Sequence, residues 1–183
     1  MKDDVWFSDV SKLALLAGDA KANDPVIGYT GYIPATREGS YRACKAGECP
    51  IGNLFTDALQ WSANSDIAFT SSGGYRGPAK LAGETRFGDL YLALPFPNTM
   101  CTGTMTGLSL FKLLNYTTSV ATFQGEDTSD GGRLLQVAGM KVTYNTGLEE
   151  SRLISVDVWD SNEGDYFPLD RLRLYKFATD SYV

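Results

Sequence analysis

The stretch that most constrains the fold runs from Ile51 to Arg76, IGNLFTDALQWSANSDIAFTSSGGYR. Its first half places apolar residues at Ile51, Leu54, Phe55, Ala58 and Leu59. That i, i+3, i+4, i+7, i+8 stripe predicts an amphipathic helix. A short apolar run at 66–70, DIAFT, follows and reads as a buried strand. The strand ends in SSGG, and Arg76 comes two residues later. Adjacent glycines let the backbone come close to a ligand, and a nearby guanidinium suits an anion.

The remaining segments extend this pattern. Residues 10–22 predict a helix with Leu13, Leu15 and Leu16 as its apolar residues, within an irregular appendage over 1–24. PVIGYTGYIPA, at 25–35, alternates as a strand does. TREGSYRACKAGECP reads as a loop, and ETRFGDLYLALPF as a loop leading into an apolar segment. TGLSLFKLLNYTTSV reads as a helix with Leu110, Leu113 and Leu114 on one side. After the polar break EDTSDGG come four predicted strands: RLLQV, MKVTYN, LISVDVW and RLRLYKF. Early helices and late strands in mixed order predict an α+β domain of mixed sheets layered with helices.

Composition narrows the chemistry. The chain of 183 residues contains no histidine, which removes Ser-His-Asp and Cys-His catalysis and every imidazole metal site. With 16 basic and 22 acidic residues, the net charge of −6 argues against nucleic-acid binding. No apolar run is long enough to span a bilayer. Cys44 and Cys49 lie five apart beside Gly47 and Pro50, a spacing that closes a small disulfide loop; two reduced thiols are the alternative. We expect the disulfide, because an exposed loop is an unsuitable place for idle thiols. Cys101 is then unpaired, and we expect it to be a small buried hydrophobe.

Six segments in order resemble the C-terminal domain of the 5′-nucleotidase family: GECPIGNLFTDAL, DIAFTSSGGYRG, AGETRFGDLYLALPFPNTM, TGLSLFKLL, GGRLLQVAGMKVTYN and YFPLDRLRLYKFATDSYV. The resemblance covers residues 25–183. It implies a substrate-binding domain that delivers a nucleotide or nucleoside to an N-terminal metallophosphatase domain, where a divalent metal pair does the hydrolysis. No cofactor is expected in this chain, and by itself it is expected to be inactive. A secreted, periplasmic or cell-surface home is implied, with neither nucleic acid nor a membrane span involved.

The resemblance also assigns residues. Arg76, after Gly73 and Gly74, matches a phosphate-contacting arginine; Lys45 aligns with another, with Arg42 as a rival for that role. Phe96, between Pro95 and Pro97, matches a phenylalanine that stacks on the base, and Asn98 an asparagine facing the base. Ser71 stands where the family has asparagine, and Pro97 where it has glycine. The family's final GGDG-type segment, with a second stacking aromatic and a ribose-binding aspartate, has no counterpart after ATDSYV. These departures leave a second expectation open: a stand-alone module, derived from that domain, that binds a ligand or a protein without catalysis.

Overall fold

The computed structural model describes residues 25–30, 44–76, 83–119, 132–148 and 152–183. The helix expected over 10–22 and the appendage over 1–24 lie outside them, as does Arg42. Of the strand expected over 25–35, the described part is β1 (Val26–Thr30).

Helix α1 (Pro50–Ala63) forms where the apolar stripe predicts it, with a proline in its first turn, a position that lacks an N–H partner anyway. It ends at Asn64, whose left-handed backbone (φ 46°) closes the last turn. Strand β2 (Ile67–Ser71) is buried along its whole length, and a 3-10 turn follows at Ser72–Gly74. Next come β3 (Gly83–Arg86), α2 (Phe87–Ala93), β4 (Met100–Thr106) and α3 (Gly107–Ser119). Five strands complete the chain: β5 (Leu135–Ala138), β6 (Met140–Tyr144), β7 (Leu153–Asp160), β8 (Asp165–Pro168) and β9 (Leu174–Asp180).

The strands make three sheets: β1–β3, β4–β9–β2–β5 and β6–β7–β8. In the four-stranded sheet β2 runs parallel to β9, whereas β5 and β4 are antiparallel to their neighbours. Side chains alternate across this sheet as the period of two demands. Ile67, Phe69 and Tyr175 point to one face, where they pack with Leu110 and Leu114 of α3 and with Val156 and Val158 of β7. Ala68, Ala138 and Ala178 point to the other face, against Leu59 and Ala63 of α1. Ala68 is paired with both other alanines, so the three form a row across β9, β2 and β5. The missing side-chain bulk lets α1 lie close on the sheet. The α+β class with mixed sheets is therefore the observed architecture.

Three sequence readings are corrected. Residues 83–93 form a short strand and a helix, not a loop leading into an apolar segment; the Asp89 carboxylate accepts the Arg86 N–H at 2.8 Å and caps the helix start. Cys101 is free, as expected, but exposed, because it lies on β4 at the edge of its sheet. Strands β4 and β8 are not anticipated by the sequence; β4 is rich in threonine and glycine and largely exposed, so it carries little apolar periodicity. The four late strands do form, although β9 begins at Leu174, after a bend over 171–173.

Candidate functional site

Four pieces of chain meet at the edge of the sheet where β2 and β9 end. They are the turn after β2, the 44–49 loop, the residues preceding β5 and the segment 94–99 that precedes β4. The sheet sets this meeting, because parallel strands end at a common edge and β4 and β5 begin there.

The turn is rigidly held. Ser71 Oγ donates to the Gly132 carbonyl at 2.5 Å and accepts the Gly73 N–H at 3.1 Å. Its hydroxyl is thus occupied in shaping the glycine loop, and so is the Gly73 N–H. Ser72 Oγ donates to the Leu134 carbonyl at 2.5 Å, and Ser72 N–H donates to the same carbonyl at 2.9 Å. A Cβ placed on Gly73 would lie 3.4 Å from Gly132 Cα, so the two backbones are nearly in contact. Below the turn the fully buried Tyr75 shares a short hydrogen bond with Thr70 and packs near Phe55. Burial pushes the Tyr75 hydroxyl far above its ordinary pKa; the Thr70 bond opposes this and the Asp180 charge adds to it.

Arg76 follows. Its N–H donates to the Ala93 carbonyl at 2.8 Å, which ties the turn to the end of α2. Its guanidinium carbon sits 5.2 Å from the centroid of the Phe96 ring, within cation–π range. Phe96 is 43% exposed, whereas Asn98, on the same segment, is half-buried. Arg76 and Phe96, matched separately to a phosphate contact and a base contact, are therefore in contact with each other.

Lys45 belongs to the second group. Cys44 and Cys49 are joined by a disulfide, and residues 44–46 form a helical turn within the segment read as loop. Lys45 is 8% exposed, an unusual burial for lysine. A Cβ on Gly132 would meet its Cε at 4.0 Å, so the lysine stem lies by Gly132, which lies by Gly73. Lys45, Ser71 and Gly73 are thereby gathered around Gly132, with Gly74 and Arg76 continuing the same turn.

Sequence reasoning missed two residues. Gln136 of β5 is buried and binds the 44–49 loop through its amide. Its one signal is a lone amide in the otherwise apolar run LLQVA. Asp180 ends β9; burial pushes its carboxyl above the ordinary value, against the opposing N–H groups of Tyr182 and Val183. The next residue, Ser181, donates its N–H to the Thr99 carbonyl at 2.9 Å, which joins this end to the Phe96 segment.

Chemically the edge offers a guanidinium, a buried ammonium, a close-packed glycine turn and a half-exposed aromatic ring. Such a set can hold an anion attached to a planar ring. Among the described residues no group of three or more His, Cys, Asp or Glu could hold a metal ion, and no helix is long and apolar enough to cross a membrane.

Comparison with known proteins agrees with the α+β fold. Residues 25–183 match the family model described as 5′-nucleotidase, C-terminal domain. The chain is 31% identical over 160 residues to a 5′-nucleotidase of Diplobatis ommata, with 79% of this chain and 27% of that protein covered. It is 29% identical over 163 residues to Protein 5NUC of Lutzomyia longipalpis, covering 79% of this chain and 28% of that protein. The structure of a 5′-nucleotidase precursor from Thermus thermophilus superposes with a TM-score of 0.72 at 25% identity, over 93% of this chain and 33% of that one. The chain thus spans under a third of the length of the two relatives matched by sequence. With a family match over nearly its whole length and the same fold, this chain belongs to the 5′-nucleotidase C-terminal domain family.

Proposed function

We propose that this chain is the substrate-binding domain of a secreted 5′-nucleotidase-like phosphoesterase. The observation that carries the reading is the Arg76 guanidinium set 5.2 Å over the half-exposed Phe96 ring, beside the glycine turn that ends β2. Arg76 takes the phosphate of a nucleotide, and the ammonium of Lys45 adds a second positive charge by the same turn. The base stacks on the exposed part of the Phe96 ring. Asn98, on the same segment, reads the base edge with its amide. Hydrolysis falls to an N-terminal metallophosphatase domain with its divalent metal pair, to which this domain presents the nucleotide. The Cys44–Cys49 disulfide supports an oxidising, extracytoplasmic home.

Titration calorimetry with AMP and adenosine tests the reading. Arg76→Ala should weaken AMP binding by ~1.5–3 kcal/mol, as expected for a charge-assisted hydrogen bond, and leave adenosine nearly unchanged. Phe96→Ala should weaken both ligands by ~1–3 kcal/mol. Equal losses of both ligands in Arg76→Ala would refute the assignment of the phosphate.

A further inference from the structure

Gln136 is 2% exposed and lies on the face of β5 that looks toward α1. Its Oε1 accepts the Cys49 N–H at 3.0 Å. Its Nε2 donates to the Cys44 carbonyl at 2.9 Å and to the Gly47 carbonyl at 2.8 Å, with a longer contact of 3.3 Å to Ser72 Oγ. The amide orientation is forced: an N–H must meet the oxygen, and two carbonyls must meet the nitrogen. One side chain thus binds both ends and the middle of the disulfide loop and touches the turn that carries Gly73. Residues brought together here are 64 to 92 positions apart in the chain. Between the two anchored carbonyls sits Lys45, its stem beside Gly132 and hence beside Gly73.

The disulfide alone does not fix that arrangement. It closes the loop on itself, while Cys44 and Cys49 pack with Ile51, Tyr75 and Ala93 and the Tyr144 hydroxyl donates to the Ala46 carbonyl at 3.4 Å. The Gln136 amide ties the loop to β5 at three backbone groups, those of Cys44, Gly47 and Cys49. We propose that Gln136 is a positioning residue that holds the Lys45 ammonium at the glycine turn, and so sets the affinity for the phosphate without contacting the ligand. This rests on the nucleotide-binding reading above. A glutamate could not substitute, because a carboxylate oxygen would face two carbonyl oxygens. Gly52 is part of the same device: a Cβ there would lie 2.5 Å from Gln136 Cγ and 2.6 Å from its Oε1. Glycine at this helical position leaves the room that the amide occupies.

The test is a double-mutant cycle in the 183-residue chain, read by calorimetry with AMP and adenosine. Gln136→Leu should weaken AMP binding about tenfold, as expected when a charged contact is misplaced, and adenosine less than about twofold. In a Lys45→Ala background the same change should alter AMP binding less than about twofold, because there is no ammonium left to position. Gln136→Asn, whose amide is one methylene short, and Gly52→Ala, which displaces the amide without removing it, should show the same AMP-selective loss. They carry the test if Gln136→Leu does not fold. A full loss that persists without Lys45, or equal losses for both ligands, would overturn the proposal and leave Gln136 a structural residue. Wild-type protein that binds AMP through Arg76 while every Gln136 and Gly52 variant retains its affinity would overturn this proposal alone. Wild-type protein that binds neither ligand would overturn the nucleotide reading and this proposal with it.

Discussion

Single residues at the sheet edge are held in states that water would not favour. The Asp180 carboxyl is the clearest case, because burial is the largest influence on it and raises it above 3.8. A carboxyl whose folded pKa is raised destabilises the fold wherever it is ionised. Between the ordinary value and the raised one, the folded state binds more protons than the unfolded state, so stability falls as pH rises through that window. Asp180→Asn keeps an acceptor for the Tyr182 N–H, which Asp180 Oδ1 binds at 2.8 Å, and removes the charge. The variant should therefore melt at a higher temperature than wild type at pH 7, with the difference shrinking as the pH approaches 3.8. Differential scanning calorimetry at several pH values measures this. A gain independent of pH would rule out the carboxyl as its source.

Helix α1 and the four-stranded sheet meet through small residues, and this decides where the site can form. The alanine row of Ala68, Ala138 and Ala178 is fully or almost fully buried. It lets α1 come down onto the sheet beside Gln136, whose position on β5 is the next on the same face as Ala138. Ala68→Leu should force α1 outward and cost ~1–3 kcal/mol of stability, the usual penalty for overpacking a dense core. Urea unfolding measures the loss. A conservative swap on the other face, where larger side chains from α3 and β7 interdigitate, should cost less; Ile67→Val is expected to lose ~0.5–1.5 kcal/mol. A leucine at Ala68 that left the midpoint unchanged would show that the helix does not rest on the alanine row. These elements are legible in the sequence to different degrees. Helix α1 and strand β2 carry strong periodicity and form where it places them. Strand β4 is hidden, because its pairing with β9 along seven residues comes from backbone hydrogen bonds and its side chains show no alternation.

At the scale of the whole molecule, the proposed function makes this chain one side of a two-part machine. It gathers the proposed binding groups at one sheet edge, and its sequence contains no histidine. The chain alone should release no phosphate from AMP in the presence of Mn²⁺ or Zn²⁺, measured by a colorimetric phosphate assay. Release above a no-protein control, persisting through purification, would refute the division of labour. The sequence by itself determined the family, the α+β class, the order of most elements and the absence of imidazole chemistry. These depend on local periodicity, residue types and motif order, all of which are written along the chain. It also pointed to Arg76 and Phe96, which the fold brings into contact. Only the tertiary structure decided which groups act together. Cys101 became exposed because β4 is an edge strand. The Ser71 hydroxyl was committed to Gly132 and Gly73. Gln136 became the anchor of the Lys45 loop because a buried amide must find partners wherever the fold supplies them, and here they come from segments distant in sequence.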